Sequence, residues 1–395
     1  MANKKMFLFT VLFLVSIGGI GVDIYAASLP YIASALVASK MLVKLTIVIY
    51  ILGNGFSQII AGTLSDSYGR RKLLIGGLII NILASLFAAF SYNIGLLLIC
   101  RFSQGIGIGI SAVIVRSMVT DSFVGDEIKK VSTYLTMAWG IGPIIAPFIG
   151  GHLQYYFGWQ SNFYFLCFYA LFALILVIKF VPETIKNKKP LSLSAVINVY
   201  GEIFSNRVFI GSVLCLIMCY AFIITYNVMA PFIIQNILSY NSIIYGNTAL
   251  CVSLAYFLGN LTNRFLINRF KIKNIIALGI GLSLTSSIIM LLILLKLFNL
   301  ATITLPVLFI FFGSGLLFPN FMYKCLSLFP FTAGSASSVF GGLIMLGGFV
   351  VGFFISVIKL SSPFPFAISY IILSIIILLI FLLLIKNNLK NSESA

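Results

Sequence analysis

Carboxylates are the scarce chemical resource of this 395-residue chain, which has eight: Asp23, Asp66, Asp121, Asp126, Glu127, Glu183, Glu202 and Glu393. Seven lie beside cations, at the ends of apolar runs or in the tail, and Asp23 alone lies inside a long apolar run. An acid at membrane depth costs about 2.5–3.5 kcal/mol on insertion scales, which marks it for chemistry rather than packing. Burial favours its neutral form and a nearby cation its charged form, a competition suited to taking up and releasing a proton. Arg101 is the cation expected to pair with it, because both fall in the outer half of their apolar runs. Arg116, 15 residues further on, is expected near the inner end of the same run. There it either snorkels to the interface or takes part in gating, with Asp121 as a neighbour to pair with. His152, the single histidine, is expected at an interface. The cysteines (Cys100, Cys167, Cys215, Cys219, Cys251 and Cys325) sit in apolar runs without motif spacing, so neither a disulfide framework nor a metal site is predicted. No Ser/His/Asp constellation is present either, and the sequence does not read as an enzyme.

The composition says which elements must hold these few charges. Hydrophobic residues make up 61% of the chain and charged residues 8%, against about 25% charged in ordinary globular domains. The apolar excess has to face lipid. Runs long enough to span, cut at charges, prolines and glycine clusters, fall at roughly 6–28, 42–64, 73–91, 94–119, 131–154, 160–181, 207–234, 243–266, 273–295, 302–325, 332–358 and 364–385. The first follows Lys4 and Lys5 but is too long for a signal-peptide core and ends in no cleavage site, so it is expected to remain as the first span. With the N-terminus inside, 19 Lys and Arg fall in inside loops and tails, and 4 (Lys40, Lys44, Lys296 and Lys359) fall outside. That is the positive-inside pattern, and it accounts for the net charge of +17. Nucleic-acid binding would need a basic soluble face, and no such domain is legible. Both termini are expected in the cytoplasm. The longest loop, 182–206, divides the chain into six-helix bundles over 1–181 and 207–395, the second with a short tail.

The stretch GTLSDSYGRRK, Gly62–Lys72, packs an acid and three cations between the second and third spans. Gly62 and Gly69 permit a tight turn. Asp66 can meet the positive end of a helix or an Arg, and Arg70, Arg71 and Lys72 anchor the loop inside. GTLSD returns as GNLTN at Gly259–Asn263, 197 residues on, which with the matching topology suggests duplicated halves. The pattern G-x-L-x-D-x-x-G-R-R-K resembles the signature loop of the major facilitator superfamily. Other stretches resemble its bicyclomycin-resistance (Bcr/CflA) branch of drug:proton antiporters. They are DIYAASLP (Asp23–Pro30), RFSQGIGIGISAVIVRSMVTD (Arg101–Asp121), GIGPIIAPFIGG (Gly140–Gly151), PET (Pro182–Thr184), LGNLTNRFLINRF (Leu258–Phe270) and FPNFMYKCLSLFPFTAGSASSVFGG (Phe318–Gly342). The chain departs from the pattern at Ala146 and Pro147, inserted in the antiporter-like stretch, and at Asn263, which stands where the first repeat has Asp66.

The resemblance implies an all-α polytopic membrane protein with twelve transmembrane helices in two six-helix pseudo-repeats and both termini cytoplasmic. It implies a proton-coupled antiporter of the bacterial cytoplasmic membrane, exporting small amphipathic molecules by alternating access. Such a protein uses a proton gradient, needs no cofactor or metal, and works as a monomer. Asp23 and Arg101 would couple protons. Gly62, Asp66, Gly69, Arg70 and Arg71 would form a gating loop that latches the halves on the inside. Gly142, Pro143, Gly150 and Gly151 would form the antiporter-like fifth span. Tyr25, Tyr50, Asn54, Gln58, Gln104 and Trp139 in the first half, with Tyr220, Tyr226, Asn227, Tyr256 and Asn320 in the second, are candidates to line the substrate cavity. Tyr50, Asn54 and Gln58 share one helix face. Each of these side chains serves equally well in an interhelical hydrogen bond, worth roughly 0.6 kcal/mol on average. A proton-coupled importer of a sugar, nucleoside or amino acid is the alternative, and the antiporter-like span favours export. GIGIG reads as a packing stretch, since no strand precedes it and no lysine follows. No filter-like repeat argues for a channel.

Overall fold

The structure, a computed structural model, describes residues 4–185, 206–327 and 333–385. Among the described residues it is helical throughout, with twelve helices long and apolar enough to cross a membrane. In chain order they are α1 (Lys4–Ala35), α2 (Lys40–Tyr68), α3 (Arg70–Ala89), α4 (Ile94–Ser122), α5 (Asp126–Phe157) and α6 (Gln160–Phe180). The second set is α7 (Arg207–Ile237), α8 (Ser242–Leu266), α9 (Ile272–Leu294), α10 (Leu300–Ser327), α11 (Ala333–Val357) and α12 (Phe364–Ile385). Most of the expected linker, residues 186–205, and the tail from 386 lie outside the described residues.

Local chemistry sets the boundaries. Ser39, Asn93, Asn206 and Asn241 each accept a hydrogen bond from a first-turn amide and so start α2, α4, α7 and α8. Gly69, at φ 105°, makes the corner between α2 and α3, a conformation that penalises any side chain. Besides α12, whose last turn over Phe381–Ile385 is a π turn, two helices lose regularity along their length. In α1 the α-helix runs Lys4–Asp23, passes through a 3-10 turn at Ala26–Ser28 and resumes at Leu29. In α7 the helix gives way to a π turn over Ile233–Ile237, just after Pro231, which cannot donate to the carbonyl four residues back.

Helices of one half pair as those of the other do: α2 with α4 and α8 with α10, α3 with α4 and α9 with α10, α1 with α5 and α7 with α11. The crossings are alike in detail. A Cβ on Gly53 would strike the Phe102 carbonyl, and one on Gly259 the Phe312 carbonyl. Likewise Gly105 abuts the Tyr50 carbonyl, and Gly315 the Tyr256 carbonyl. These contacts align Tyr50-Ile-Leu-Gly53-Asn54 with Tyr256-Phe-Leu-Gly259-Asn260, an offset of 206 residues. The expected match of Gly62–Asp66 to Gly259–Asn263 is therefore corrected, since packing equates Gly259 with Gly53. The shared Y-x-L-G-N is the true repeat, conserved between halves because a backbone carbonyl sits against each glycine.

The halves meet along α1 with α7, α2 with α11, and α5 with α8. Large apolar side chains such as Phe9, Phe168, Phe172, Phe354 and Leu383 stay exposed on the perimeter, as lipid-facing residues must.

Candidate functional site

The site grows from Arg101 on α4, a fully buried guanidinium. Its centre lies 4.2 Å from the Tyr25 ring and 4.3 Å from the Tyr50 ring, so two aromatic faces sandwich it. It donates to Gln104 Oε1 at 2.8 Å, the Gly21 carbonyl at 3.1 Å and the Thr46 carbonyl at 3.4 Å. Gln104 passes the chain on to Ser85 Oγ at 2.7 Å, and Tyr25 is bonded to Thr46 Oγ1. Arg101 thereby ties α1, α2 and α4 together.

The expected ion pair between Asp23 and Arg101 is not formed. Gly21 and Tyr25, four residues apart, share one face of α1 and both meet Arg101. Asp23 stands between them in sequence and so on the other side of the chain. It faces the second half, where Asn227 Nδ2 of α7 donates to Asp23 Oδ1. Both side chains are buried. The two residues are 204 apart in the chain and meet across the seam.

Other bonds between described residues also bridge the halves. Lys44 Nζ, on α2, donates to the Ile358 carbonyl at 2.7 Å and the Ser356 carbonyl at 3.4 Å, at the C-terminal end of α11. Gln235 donates to the Ala27 carbonyl at 2.9 Å, and Ser242 to the Gly151 carbonyl at 2.8 Å. Ser253 of α8 donates to the Pro143 carbonyl of α5 at 3.2 Å. That last acceptor is free because Pro147, four residues on, has no N–H, so the Ala146-Pro147 departure exposes a carbonyl that the other half uses. Gly142 and Gly150 seat α5 against α1, and Gly151 seats it against α8. All these bonds lie between the bundle's midplane and the end away from the chain termini.

At the terminal end the gating-loop charges turn inward on their own half. Arg70 pairs with Asp121 at 2.6 Å and with Asp66 at 3.5 Å. Glu183, just past α6, accepts from the Arg70 and Arg71 backbone amides at 3.1 and 3.2 Å, capping α3. Arg71 donates to the Ile178 carbonyl, and Thr184 to Asp121. One expectation changes here: Asp121 serves Arg70 instead of Arg116, because Gly69 turns Arg70 back beneath α4, toward Asp121.

The remaining candidates fall into separate places. Gln58 donates to Asn54 at 2.8 Å and accepts from Arg116 at 2.9 Å. Tyr226 donates to Thr248 at 3.2 Å and stacks on Tyr245. Tyr220 packs beside Gly348, and Tyr256 is half-buried where α8 crosses α10. Asn320 donates to Asn263 at 2.7 Å. Trp139 lies on α5, but its side chain falls outside the described residues. His152 bonds the Phe148 carbonyl at 2.9 Å in an exposed position. Sequence reasoning missed Lys44, Thr46, Gln235 and Ser253. Only Lys44 carried a signal, as one of the few cations on the outer side.

The family model described as Major Facilitator Superfamily matches residues 11–352. Multidrug resistance protein MdtL of Shewanella oneidensis is 31% identical over 81% of this chain and 81% of its own length. The bicyclomycin resistance protein homolog of Haemophilus influenzae is 23% identical, covering 94% of each chain. Among solved structures, a D-xylose-proton symporter superposes with a TM-score of 0.78 at 15% identity, over 94% of this chain and 96% of the other, a likeness of fold.

Proposed function

Because the chain belongs to the Major Facilitator Superfamily, we propose that it exchanges small amphipathic drug-like molecules for protons, exporting the former. It is a multi-pass protein of the bacterial inner membrane. The names of its relatives favour drug efflux, and the single observation that carries coupling is Asp23. It is a buried acid inside a span and is bonded to the opposite half.

With the termini in the cytoplasm, as the cation bias argues, the described hydrogen bonds between the halves gather toward the outer end, which supports reading the arrangement as inward-facing. A charged Asp23 accepts a stronger hydrogen bond from Asn227 than a protonated one does. Deprotonated and empty, the carrier is therefore held facing the cytoplasm. Substrate entering from inside has to break this contact before the outer end opens. Outside, Asp23 takes a proton, substrate leaves, and the neutral acid returns. Holding the empty, deprotonated form inward prevents protons from leaking without substrate, because only differential stabilisation of the two states can shift their balance. Arg101 fixes the α1 segment on which Asp23 sits, so its part is to position the acid. The stretch Gly62–Arg71, the end of α2 and the start of α3 with Gly69 as the corner between them, braces the inner end of the first half, and the two six-helix bundles rock as units joined by the 182–206 linker.

The test is proteoliposomes with an imposed pH gradient and a panel of amphipathic compounds. Antiport requires that adding a substrate drives protons the opposite way. Protons moving with substrate would establish the importer reading instead.

A further inference from the structure

Arg116 is the intramembrane cation that nothing above employs. It sits on α4 about 9 Å along the helix from its terminal end, by the rise per residue. Its Nε donates to the Ala112 carbonyl and its Nη2 to Gln58 Oε1, each at 2.9 Å. Neither acceptor carries charge. The described acids nearby are engaged elsewhere, Asp121 and Asp66 by Arg70 and Asp23 by Asn227. Nη1 makes no hydrogen bond and is not sealed by protein. The contrast with Arg101 is sharp, because Arg101 is enclosed, sandwiched by two rings and bonded by three of its nitrogens.

The open side of Arg116 faces the interior of the bundle. Helix α4 touches α1, α2, α3, α5 and α11. Among its described residues Ile99, near the far end, is the one large apolar side chain exposed. Across the seam stands Gly341 of α11. A Cβ there would meet Gln58 Oε1 first and lie 3.4 Å from Nη2 and 3.5 Å from Nη1, so at this one position α11 places no side chain over the guanidinium or the amide that orients it. Unneutralised cations at this depth are costly and are found where they meet a counter-charge or a water-filled path. A planar guanidinium, oriented by Gln58 and with its other edge free, presents paired donors to an oxyanion.

We propose that Arg116, oriented by Gln58, binds the anionic group (sulfonate, carboxylate or phosphate) of an amphipathic ligand that enters from the cytoplasmic side. This names a substrate class and rests on the transport reading above. The same chemistry fits a lipid headgroup, which the experiment separates.

The probes are 1-anilinonaphthalene-8-sulfonate and N-phenyl-1-naphthylamine, one scaffold with and without the anion. Binding of each to the full chain in phosphatidylcholine nanodiscs is read by fluorescence against protein-free discs. Arg116→Gln should weaken the sulfonate about tenfold, the worth of one charge-assisted contact, and the amine less than twofold. Arg116→Lys should fall between. Equal losses for both probes would make Arg116 a packing residue and overturn the proposal, as would no loss for either. Adding phosphatidylglycerol sorts the source. Competition with the sulfonate in the parent but not in Arg116→Gln identifies a headgroup as occupant, and its absence a free anion. Either outcome retains an anion at Arg116. No proton gradient is used, so failure of proton exchange would sink the antiport reading without touching this one.

Discussion

Asp23 of α1 and Asn227 of α7 are hydrogen-bonded to each other across the seam. An acid facing an amide makes the seam asymmetric in charge: one side can hold a proton and the other can sense it. The contact lies where both helices are irregular, beside the 3-10 turn of α1 and just before Pro231 of α7. Backbone that is already loosened there can shift without breaking a continuous ladder of hydrogen bonds.

Asn227→Ala should uncouple the carrier. With the bond gone, the empty, deprotonated form is no longer held inward, and protons should leak down their gradient with no substrate present. A charge-assisted bond worth about 1.5–3 kcal/mol implies a leak larger by roughly tenfold or more. A pH dye inside substrate-free proteoliposomes measures it, and a leak rate equal to the parent's would remove Asn227 from the coupling.

Asp23→Asn should abolish gradient-driven transport, since an amide cannot release a proton. It should leave exchange of labelled for unlabelled substrate intact at equal pH. The isosteric amide still bonds Asn227, so insertion and folding should survive. If gradient-driven transport persists in this variant, the proton site lies elsewhere.

Arg101 should reveal itself through stability. Arg101→Ala strands the Gly21 and Thr46 carbonyls and Gln104 and empties the space between two tyrosines, a loss of about 3–5 kcal/mol for breaking a buried charged network. Arg101→Lys should recover little, because an ammonium lacks the planar fork that bonds and stacks at once. Tyr50→Phe should be nearly silent, since the Tyr50 hydroxyl has no bonding partner and the ring face remains. Thermal unfolding in detergent ranks the variants. Arg101→Lys matching the parent would contradict this account of the residue.

Lys44 should act as an outer latch. Its ammonium caps the last carbonyls of α11 from the other half, where a helix end favours a cation by about 0.3–1 kcal/mol, and up to ~2 when partly buried. Nearby Lys40 lies 6.0 Å from the Phe232 ring of α7. Lys44→Met should raise the outward-open to closed ratio about two- to fivefold, and by up to about thirtyfold at the upper value, and Lys44→Arg should restore much of the closed state. Distances between spin labels on the outer ends of α2 and α11 report the populations, and identical distributions in Met variant and parent would dismiss the latch.

Much of the architecture is legible along the chain because it depends on local composition. Runs of apolar residues cannot stay in water, so the spans, their number and the special standing of Asp23 follow from counting. The Y-x-L-G-N repeat is also present in the sequence, but it is uncharged and less conspicuous than the charged GTLSD stretch. The acid's contacts were not. Asp23 and Arg101 sit at compatible depths, but depth says nothing about rotation around a helix, and two residues of phase turn Asp23 away from Arg101.

What the sequence determined by itself is the membrane-spanning helices, the duplicated halves and the presence of one acid and two arginines at depth, because each rests on residue type and short-range spacing. The tertiary structure alone decided that Arg101 is enclosed by Tyr25 and Tyr50, that Asp23 answers to Asn227, that Ser253 finds the carbonyl freed by Pro147, and that among the described residues Arg116 has no acid beside it. Each of these joins helices far apart in the chain, and which faces meet is fixed only when close-packed backbones, held together at glycines, set every helix's rotation at once.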